Sequence, residues 1–188
     1  MRIVAGRHRG RRLSAPGGEE VRPTSSLTRE SLFNVLTHGR FAADGSPLAD
    51  AVVLDAFAGS GANGLEALSR GAAHAIFMES QAVAISALRH NVKELGEGEH
   101  VTVIRADVTR PPRATQACDL VILDPPYGQG LAAPGLQGLA AAGWLKPGAL
   151  VVVELMKTED MPVPEGFEVL DTRRYGKAKL IFLRAPEG

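Results

Sequence analysis

The sequence offers little for cross-linking and little for holding a metal. Among its 188 residues Cys118 is the single cysteine, so no internal disulfide is available. It opens the apolar run 118–123, where a small buried core residue is the expectation. The five histidines, His8, His38, His74, His90 and His100, fall in different predicted elements and no Cys-x-x-Cys pair occurs, so we expect no metal site. Runs of eighteen or more apolar residues are also missing, and no hydrophobic segment follows the charged amino terminus. The expectation is a cytoplasmic protein with no membrane span, secretory signal or membrane partner. Net charge is lacking too, with 21 basic and 21 acidic residues, while 45% apolar and 22% charged residues make a globular rather than a disordered composition. The length suits one domain and falls short of the roughly 250 residues and eight strand-helix units of a TIM barrel.

What is present is unevenly placed. Residues 1–30 carry seven arginines, Arg2, Arg7, Arg9, Arg11, Arg12, Arg22 and Arg29, against Glu19, Glu20 and Glu30, whereas the remainder has fourteen basic and eighteen acidic residues. Arginine suits bidentate phosphate contact and base stacking. GC-rich coding also favours arginine, so composition alone leaves nucleic-acid binding open.

Segments 2–5 and 11–13 flank Gly6-Arg7-His8-Arg9-Gly10 and read as a small basic β-hairpin. Ser25 or Ser26 is placed to cap a helix with Leu27, Phe33 and Leu36 on its apolar face and Gly39 as its stop, and residues 41–50 read as a loop. Strand and helix patterns then alternate: strands at 52–57, 75–78, 101–104, 120–123 and 149–154, and helices within 64–70, 82–95 and 131–145, the second with Val83, Leu88, Val92 and Leu95 among its apolar positions. The strands are nearly continuous in apolar residues, the pattern of a parallel sheet covered on both faces, so the class is α/β. Residues 167–170 and 179–183 flank Tyr175-Gly176-Lys177 and predict a closing hairpin with an antiparallel last strand. We read residues 1–188 as a single domain, with 1–24 a basic hairpin and loop extension and 25–188 the core.

Between the first strand and its helix lies Asp55-Ala56-Phe57-Ala58-Gly59-Ser60-Gly61-Ala62-Asn63-Gly64. Glycines there allow a sharp turn and close approach to a ligand in front of free helix N–H groups. Gly59, Gly61 and Gly64 match the dinucleotide spacing, and Glu79 follows Gly59 by twenty residues, which leaves a nicotinamide oxidoreductase open. Asp55 points elsewhere, because a carboxylate beside the loop repels pyrophosphate and suits a cationic ligand. S-adenosyl-L-methionine, with a sulfonium, an ammonium, a ribose and an adenine, fits the three acids at successive strand ends: Asp55, Glu79 for both ribose hydroxyls, and Asp107 with the Ala106 backbone near the adenine amine.

The most specific feature is Asp124-Pro125-Pro126-Tyr127 after the strand at 120–123. Prolines cannot donate ladder hydrogen bonds, so the sheet stops and the chain becomes rigid at the edge where open α/β folds bind ligands. The Asp124 carboxylate and the Pro125 carbonyl can accept the two hydrogens of an aryl amine and aim its lone pair at an incoming methyl group. Tyr127 can stack on the ring, as aromatic side chains do on displaced bases.

These residues resemble the class I Rossmann-like methyltransferases of amino groups. The segments at 2–13, Arg22-Pro23-Thr24, Arg29 to Leu36 and Gly64 to Ala72 narrow the likeness to the RsmD family, bacterial small-subunit ribosomal RNA methyltransferases acting on the 2-amino group of guanine 966 of 16S rRNA. The resemblance covers essentially the whole chain. It implies the class I S-adenosylmethionine-dependent methyltransferase fold, a seven-stranded mostly parallel sheet of order 3-2-1-4-5-7-6. It implies S-adenosyl-L-methionine bound by Asp55, Phe57, Ala58, Gly59, Ser60, Gly61, Gly64, Glu79, Ser80, Ala106, Asp107 and Asp124, and catalysis by Asp124, Pro125, Pro126 and Tyr127. The partner would be 16S rRNA in an assembled or nearly assembled small subunit, met by Arg7, His8, Arg9, Arg11, Arg12, Arg22 and Arg29. Asn63 stands where a leucine is common, and Tyr127 where some members have phenylalanine. Adenine-N6 methylation of DNA or RNA is the nearest rival, and a non-enzymatic RNA-binding protein is the alternative outside catalysis.

Overall fold

A computed structural model describes residues 1–18, 23–43 and 45–187. Its elements are α1 (Pro23–His38), β1 (Val52–Ala56), α2 (Ala62–Ser69), β2 (His74–Glu79), α3 (Ala82–Leu95), β3 (Val101–Arg105), β4 (Cys118–Leu123), α4 (Ala132–Ala141), β5 (Leu145–Met156), β6 (Glu168–Tyr175) and β7 (Ala178–Arg184). They build one seven-stranded sheet of order β3-β2-β1-β4-β5-β7-β6. The first five strands in that order pair in parallel, and β7 runs antiparallel between β5 and β6. Order and orientation are those the resemblance implies.

The continuous apolar strands have the expected cause: each alternates between two cores. Val53, Ile122 and Val152 face a layer with Phe33, Leu36, Leu65, Leu68, Leu88 and Phe182. Leu54, Val121 and Val153 face Leu136, Leu139 and Trp144 on the other side. Cys118 is buried in this second core, and the Trp144 indole N–H donates to the Pro112 carbonyl at 2.9 Å. Among the described residues no helix is long and apolar enough to cross a membrane.

Several boundaries differ from expectation. α1 begins at Pro23, ahead of the expected Ser25 or Ser26 cap, because proline's fixed φ and missing N–H suit a first helical position. Leu27 and Val83, placed on apolar faces, are both 60% exposed. α1 instead buries Thr28, Arg29, Leu32, Phe33, Val35 and Leu36, a stripe at helical spacing from which Leu27 is turned away.

The amino-terminal hairpin reduces to a single antiparallel bridge, Arg2 with Arg12, flanked by Ile3 N–H to Arg11 O at 3.0 Å and Leu13 N–H to Met1 O at 2.9 Å. Its backbone is secured to α2. The Glu66 carboxylate, fully buried, accepts the Val4 N–H at 2.8 Å, the Ala5 N–H at 3.1 Å and Arg70 Nε at 2.7 Å. Ser69 accepts the Arg7 N–H on its carbonyl at 2.8 Å and the His8 N–H on its hydroxyl at 3.0 Å. Gly6, at φ 81°, lies so close that a Cβ would stand 1.7 Å from the Ser69 carbonyl oxygen. The basic segment is thus a fixed surface of the sheet's helical layer.

Candidate active site

The carboxyl ends of β1 to β5 open into one cavity of about 980 Å3, at the upper end of small-molecule sites (roughly 300–1,000 Å3). Its walls divide by strand. Phe57, Gly59, Glu79, Ser80, Ala106 and Asp107 come from the ends of β1 to β3; Asp124, Pro125, Pro126, Tyr127 and Glu154 come from the ends of β4 and β5.

On the first side the polar groups are largely committed. Glu79 Oε2 accepts the Gly59 N–H at 2.9 Å, and Oε1 accepts the Ser80 and Gln81 N–H groups at 2.8 and 2.9 Å. A carboxylate offers about four acceptor positions, and one on Oε2 remains beside these three bonds. Asp107 Oδ1 accepts the Thr109 N–H and hydroxyl at 2.9 and 2.8 Å. Those two bonds hold the Asp107 carboxyl below its ordinary range, and Oδ2 makes no hydrogen bond within the described residues. Phe57 adopts a left-handed backbone at φ 61°, a strained conformation for a non-glycine residue at a cavity wall.

Asp55 lies deeper than a direct cofactor contact would require. Its side chain is fully buried and does not line the cavity; Oδ2 accepts the Gly64 N–H at 2.8 Å, while Oδ1 is sealed with no partner among the described residues. It therefore braces the glycine loop from beneath instead of meeting a cation directly. Burial pushes its pKa up to about 7, against the Gly64 hydrogen bond. Ala58, Ser60, Gly61 and Gly64 are likewise not among the residues that line the cavity. A Cβ on Gly64 would stand 2.4 Å from the Phe77 ring, so that glycine serves helix-on-strand packing and not ligand approach. Ser60 contributes its carbonyl to the Asn91 amide at 3.0 Å.

The second side is the opposite. Asp124 makes no side-chain hydrogen bond among the described residues. Glu154 accepts one, from the Tyr127 hydroxyl at 2.6 Å. Burial and the neighbouring Glu154 and Asp55 charges push the Asp124 carboxyl well above its ordinary range, with Arg29 opposing. Burial likewise raises Glu154, and burial together with the Glu154 bond raises the Tyr127 phenol. The buried Arg29 guanidinium is the cation that opposes these shifts. Desolvation lowers its pKa against the attraction of Glu66, Asp124, Asp55 and Glu154. The Tyr127-Gly128 loop is tied down by Glu159, which accepts the Gly128 N–H at 2.7 Å and the Met156 N–H at 2.9 Å.

Comparison with known proteins narrows the family. The model described as Conserved hypothetical protein 95 matches residues 1–184. Ribosomal RNA small subunit methyltransferase D of Haemophilus influenzae is 34% identical over 180 residues, covering 94% of this chain and 89% of its own. The chain belongs to this, the RsmD family. The solved structure of Escherichia coli yhhF matches with a TM-score of 0.80 and 31% identity, covering 100% of this chain and 99% of that one. An RNA methyltransferase from Salinibacter ruber, in complex with S-adenosyl-L-homocysteine, matches in fold with a TM-score of 0.62 and 17% identity over 90% and 95% of the two chains. The fold is that of the class I S-adenosylmethionine-dependent methyltransferases.

Within this RsmD-family chain the arginines expected at RNA divide into different environments. Arg29 is 4% exposed and donates to the Arg2 carbonyl at 3.0 Å and Met1 Sδ at 3.0 Å, so the expectation of an RNA contact is corrected to a buried counter-charge. His8 is engaged within the protein: its Nε2 faces the buried Glu97, beside Arg7, whose Nη2 lies 2.6 Å from the same carboxylate. Burial alone would raise Glu97, but hydrogen bonds from His8 and Arg7 hold it below its ordinary range. Arg11 donates to the Glu94 carbonyl. Arg9 and Arg12 are exposed, with no side-chain partner among the described residues; Arg22 lies outside them. Sequence reading missed Glu154 and Glu66. No local motif marks either, because both take their meaning from strands and backbone brought in from elsewhere.

Proposed function

We propose that this protein is a ribosomal RNA methyltransferase that transfers a methyl group from S-adenosyl-L-methionine to the 2-amino group of guanine 966 in 16S rRNA, acting on an assembled or nearly assembled small subunit. The observation that carries the reading is one cavity shared by a wall of committed carboxylates and a wall carrying Asp124-Pro125-Pro126-Tyr127 with unspent acceptors. Family membership and the H. influenzae relative's activity support ribosomal RNA as substrate.

The residues present suit the cofactor. The remaining acceptor position of Glu79 fits a ribose hydroxyl, Asp107 Oδ2 with the Ala106 backbone fits the adenine amine, and Phe57, Gly59 and Ser80 complete that wall. S-adenosyl-L-methionine, when bound, supplies an electrophilic methyl group on a sulfonium. Asp124 and the Pro125 carbonyl accept the two amine hydrogens, and Tyr127 covers the base. A 2-amino group is a poor nucleophile because its lone pair is delocalised into the ring, and these acceptors favour the more tetrahedral nitrogen of the transition state. Transfer of that methyl group would leave the amine nitrogen positive and ready to lose a proton. The Asp124 carboxylate is the acceptor at hand for the proton that the nitrogen releases.

Small subunits from a strain lacking the activity provide the test. Incubation with labelled cofactor and nucleoside mass spectrometry should yield N2-methylguanine at position 966. N6-methyladenine instead would move the reading to the adenine rival, and no methyl transfer at any stage of assembly would end it.

A further inference from the structure

Asp124 and Glu154 are lateral neighbours. The last register pair of β4 and β5 is Leu123 with Val153; each acid follows by one residue, about one strand spacing (~4.8 Å) apart. Both line the cavity. Glu154 Oε1 anchors the Tyr127 hydroxyl at 2.6 Å, which leaves Oε2 without a donor among the described residues, as are both Asp124 oxygens. Two adjacent carboxylates facing one cavity, with the Arg29 charge opposing theirs, present a row of acceptors to whatever base edge enters.

We propose that Glu154 is a specificity-determining residue: its Oε2 accepts the ring N1–H of the target guanine while Asp124 holds the adjacent 2-amino group. This deepens the proposed function and rests on it. Guanine's pairing edge offers the amine and N1–H as neighbouring donors. Adenine's offers an amine beside an N1 acceptor, which a carboxylate repels. A site built to bond one hydrogen rejects a base lacking it, since a buried acceptor is left unpaired. The N1–H donor in turn favours the charged form of Glu154.

The test uses small subunits reconstituted with RNA carrying guanine or 2-aminopurine at the target position. 2-Aminopurine keeps the 2-amino group but has no hydrogen on N1. The wild-type protein should prefer guanine by at least about a hundredfold in kcat/KM. In Glu154→Gln the amide oxygen can still accept the Tyr127 hydroxyl, while the amide nitrogen turns a donor toward the base. That variant should narrow the preference by about tenfold or more. The same ratio can be read from particle affinities with S-adenosyl-L-homocysteine present, so a slow variant still answers. Tyr127→Phe should retain the wild-type ratio, because Glu154 remains. Equal ratios in wild type and Glu154→Gln would overturn the proposal and leave the methyltransferase reading intact. Narrowing as large in Tyr127→Phe would reduce Glu154 to an anchor for the ring and overturn it too. No transfer to guanine by the wild-type protein would overturn both.

Discussion

The two walls of the cavity handle their carboxylates in opposite ways. Glu79 and Asp107, at the ends of β2 and β3, are each tied to backbone or hydroxyl donors within two residues or across the glycine loop. Asp124 and Glu154, at the ends of β4 and β5, share one tyrosine hydroxyl and one buried arginine between them. A carboxylate already satisfied by fixed donors is a rigid ligand-shaped wall with little left to give. One with unspent acceptors in a desolvated place is costly to the fold and available to a substrate. On the proposed function, the difference assigns holding to the first wall and chemistry to the second.

Breaking the second wall should give the largest effect. Asp124→Asn keeps the shape but replaces an acceptor with an amide that can offer the wrong group to the amine. Single-turnover methyl transfer should fall by at least about a hundredfold, while S-adenosyl-L-homocysteine affinity measured by calorimetry stays within about twofold. Wild-type turnover in this variant would remove Asp124 from the mechanism. Breaking the first wall should reverse the pattern. Glu79→Ala leaves three N–H groups and a ribose hydroxyl without their acceptor, and cofactor affinity should weaken by roughly 10- to 100-fold, the range of charge-assisted hydrogen bonds. Turnover at saturating cofactor should change far less. Equal losses in both quantities for both variants would mean that the walls do not work separately.

Four of the strand-end acids were legible in the sequence, and the reason is physical. Parallel strands buried on both faces appear as apolar runs, and the acid that ends each run is marked by contrast, so Asp55, Glu79, Asp107 and Asp124 stand out. Glu154 also ends such a run, in Val151-Val152-Val153-Glu154, but its role depends on the β4–β5 register placing it beside Asp124, which no local pattern encodes. Arg29 failed differently. Composition grouped it with the basic segment, although its spacing to Phe33 and Leu36 puts it on the buried stripe of α1. Glu66 reads as an ordinary polar helix residue until the Val4 and Ala5 N–H groups arrive from the chain's other end. Asp55 was legible in place but not in function, because only the packed loop shows the side chain sealed from the cavity.

Asp55 also sharpens the comparison through pH. Its folded pKa is raised to about 7 from an ordinary value of 3.8, so the folded protein holds a proton that the unfolded chain releases earlier. Such a group contributes stability fully below about pH 4, and that contribution is lost as pH rises toward 7. Asp124 and Glu154 are raised in the same direction and add to the slope. Urea unfolding at pH 5 and pH 8 should show the wild-type protein losing stability on the alkaline side. Asp55→Asn should lessen that loss, since the amide oxygen can still accept the Gly64 N–H. A difference between the two pH values as large in the variant as in the wild type would show that Asp55 is charged throughout.

The smallest effect is expected on the basic surface, whose arginines do not line the cavity. Four arginines there were candidates for RNA, but the fold employs two of them internally: Arg7 pairs with Glu97 and Arg11 with the Glu94 carbonyl. Arg9 and Arg12 remain for phosphate. Each phosphate contact releases condensed counterions, so log affinity falls with log salt by about 0.7 to 0.9 per contact. Arg9→Ala with Arg12→Ala should therefore weaken binding to small subunits a few-fold at moderate salt and flatten the slope by about one to two. Arg7→Ala with Arg11→Ala should disturb the slope less and the thermal stability more, because it leaves Glu97 with fewer partners. Neither pair should shift S-adenosyl-L-homocysteine affinity, since the hairpin arginines do not line the cavity. Binding titrations at several salt concentrations separate the two pairs. An unchanged slope in the Arg9 and Arg12 variant would end the assignment of this surface to RNA, and a slope lost only with Arg7 and Arg11 would mean that RNA competes with Glu97 for the hairpin.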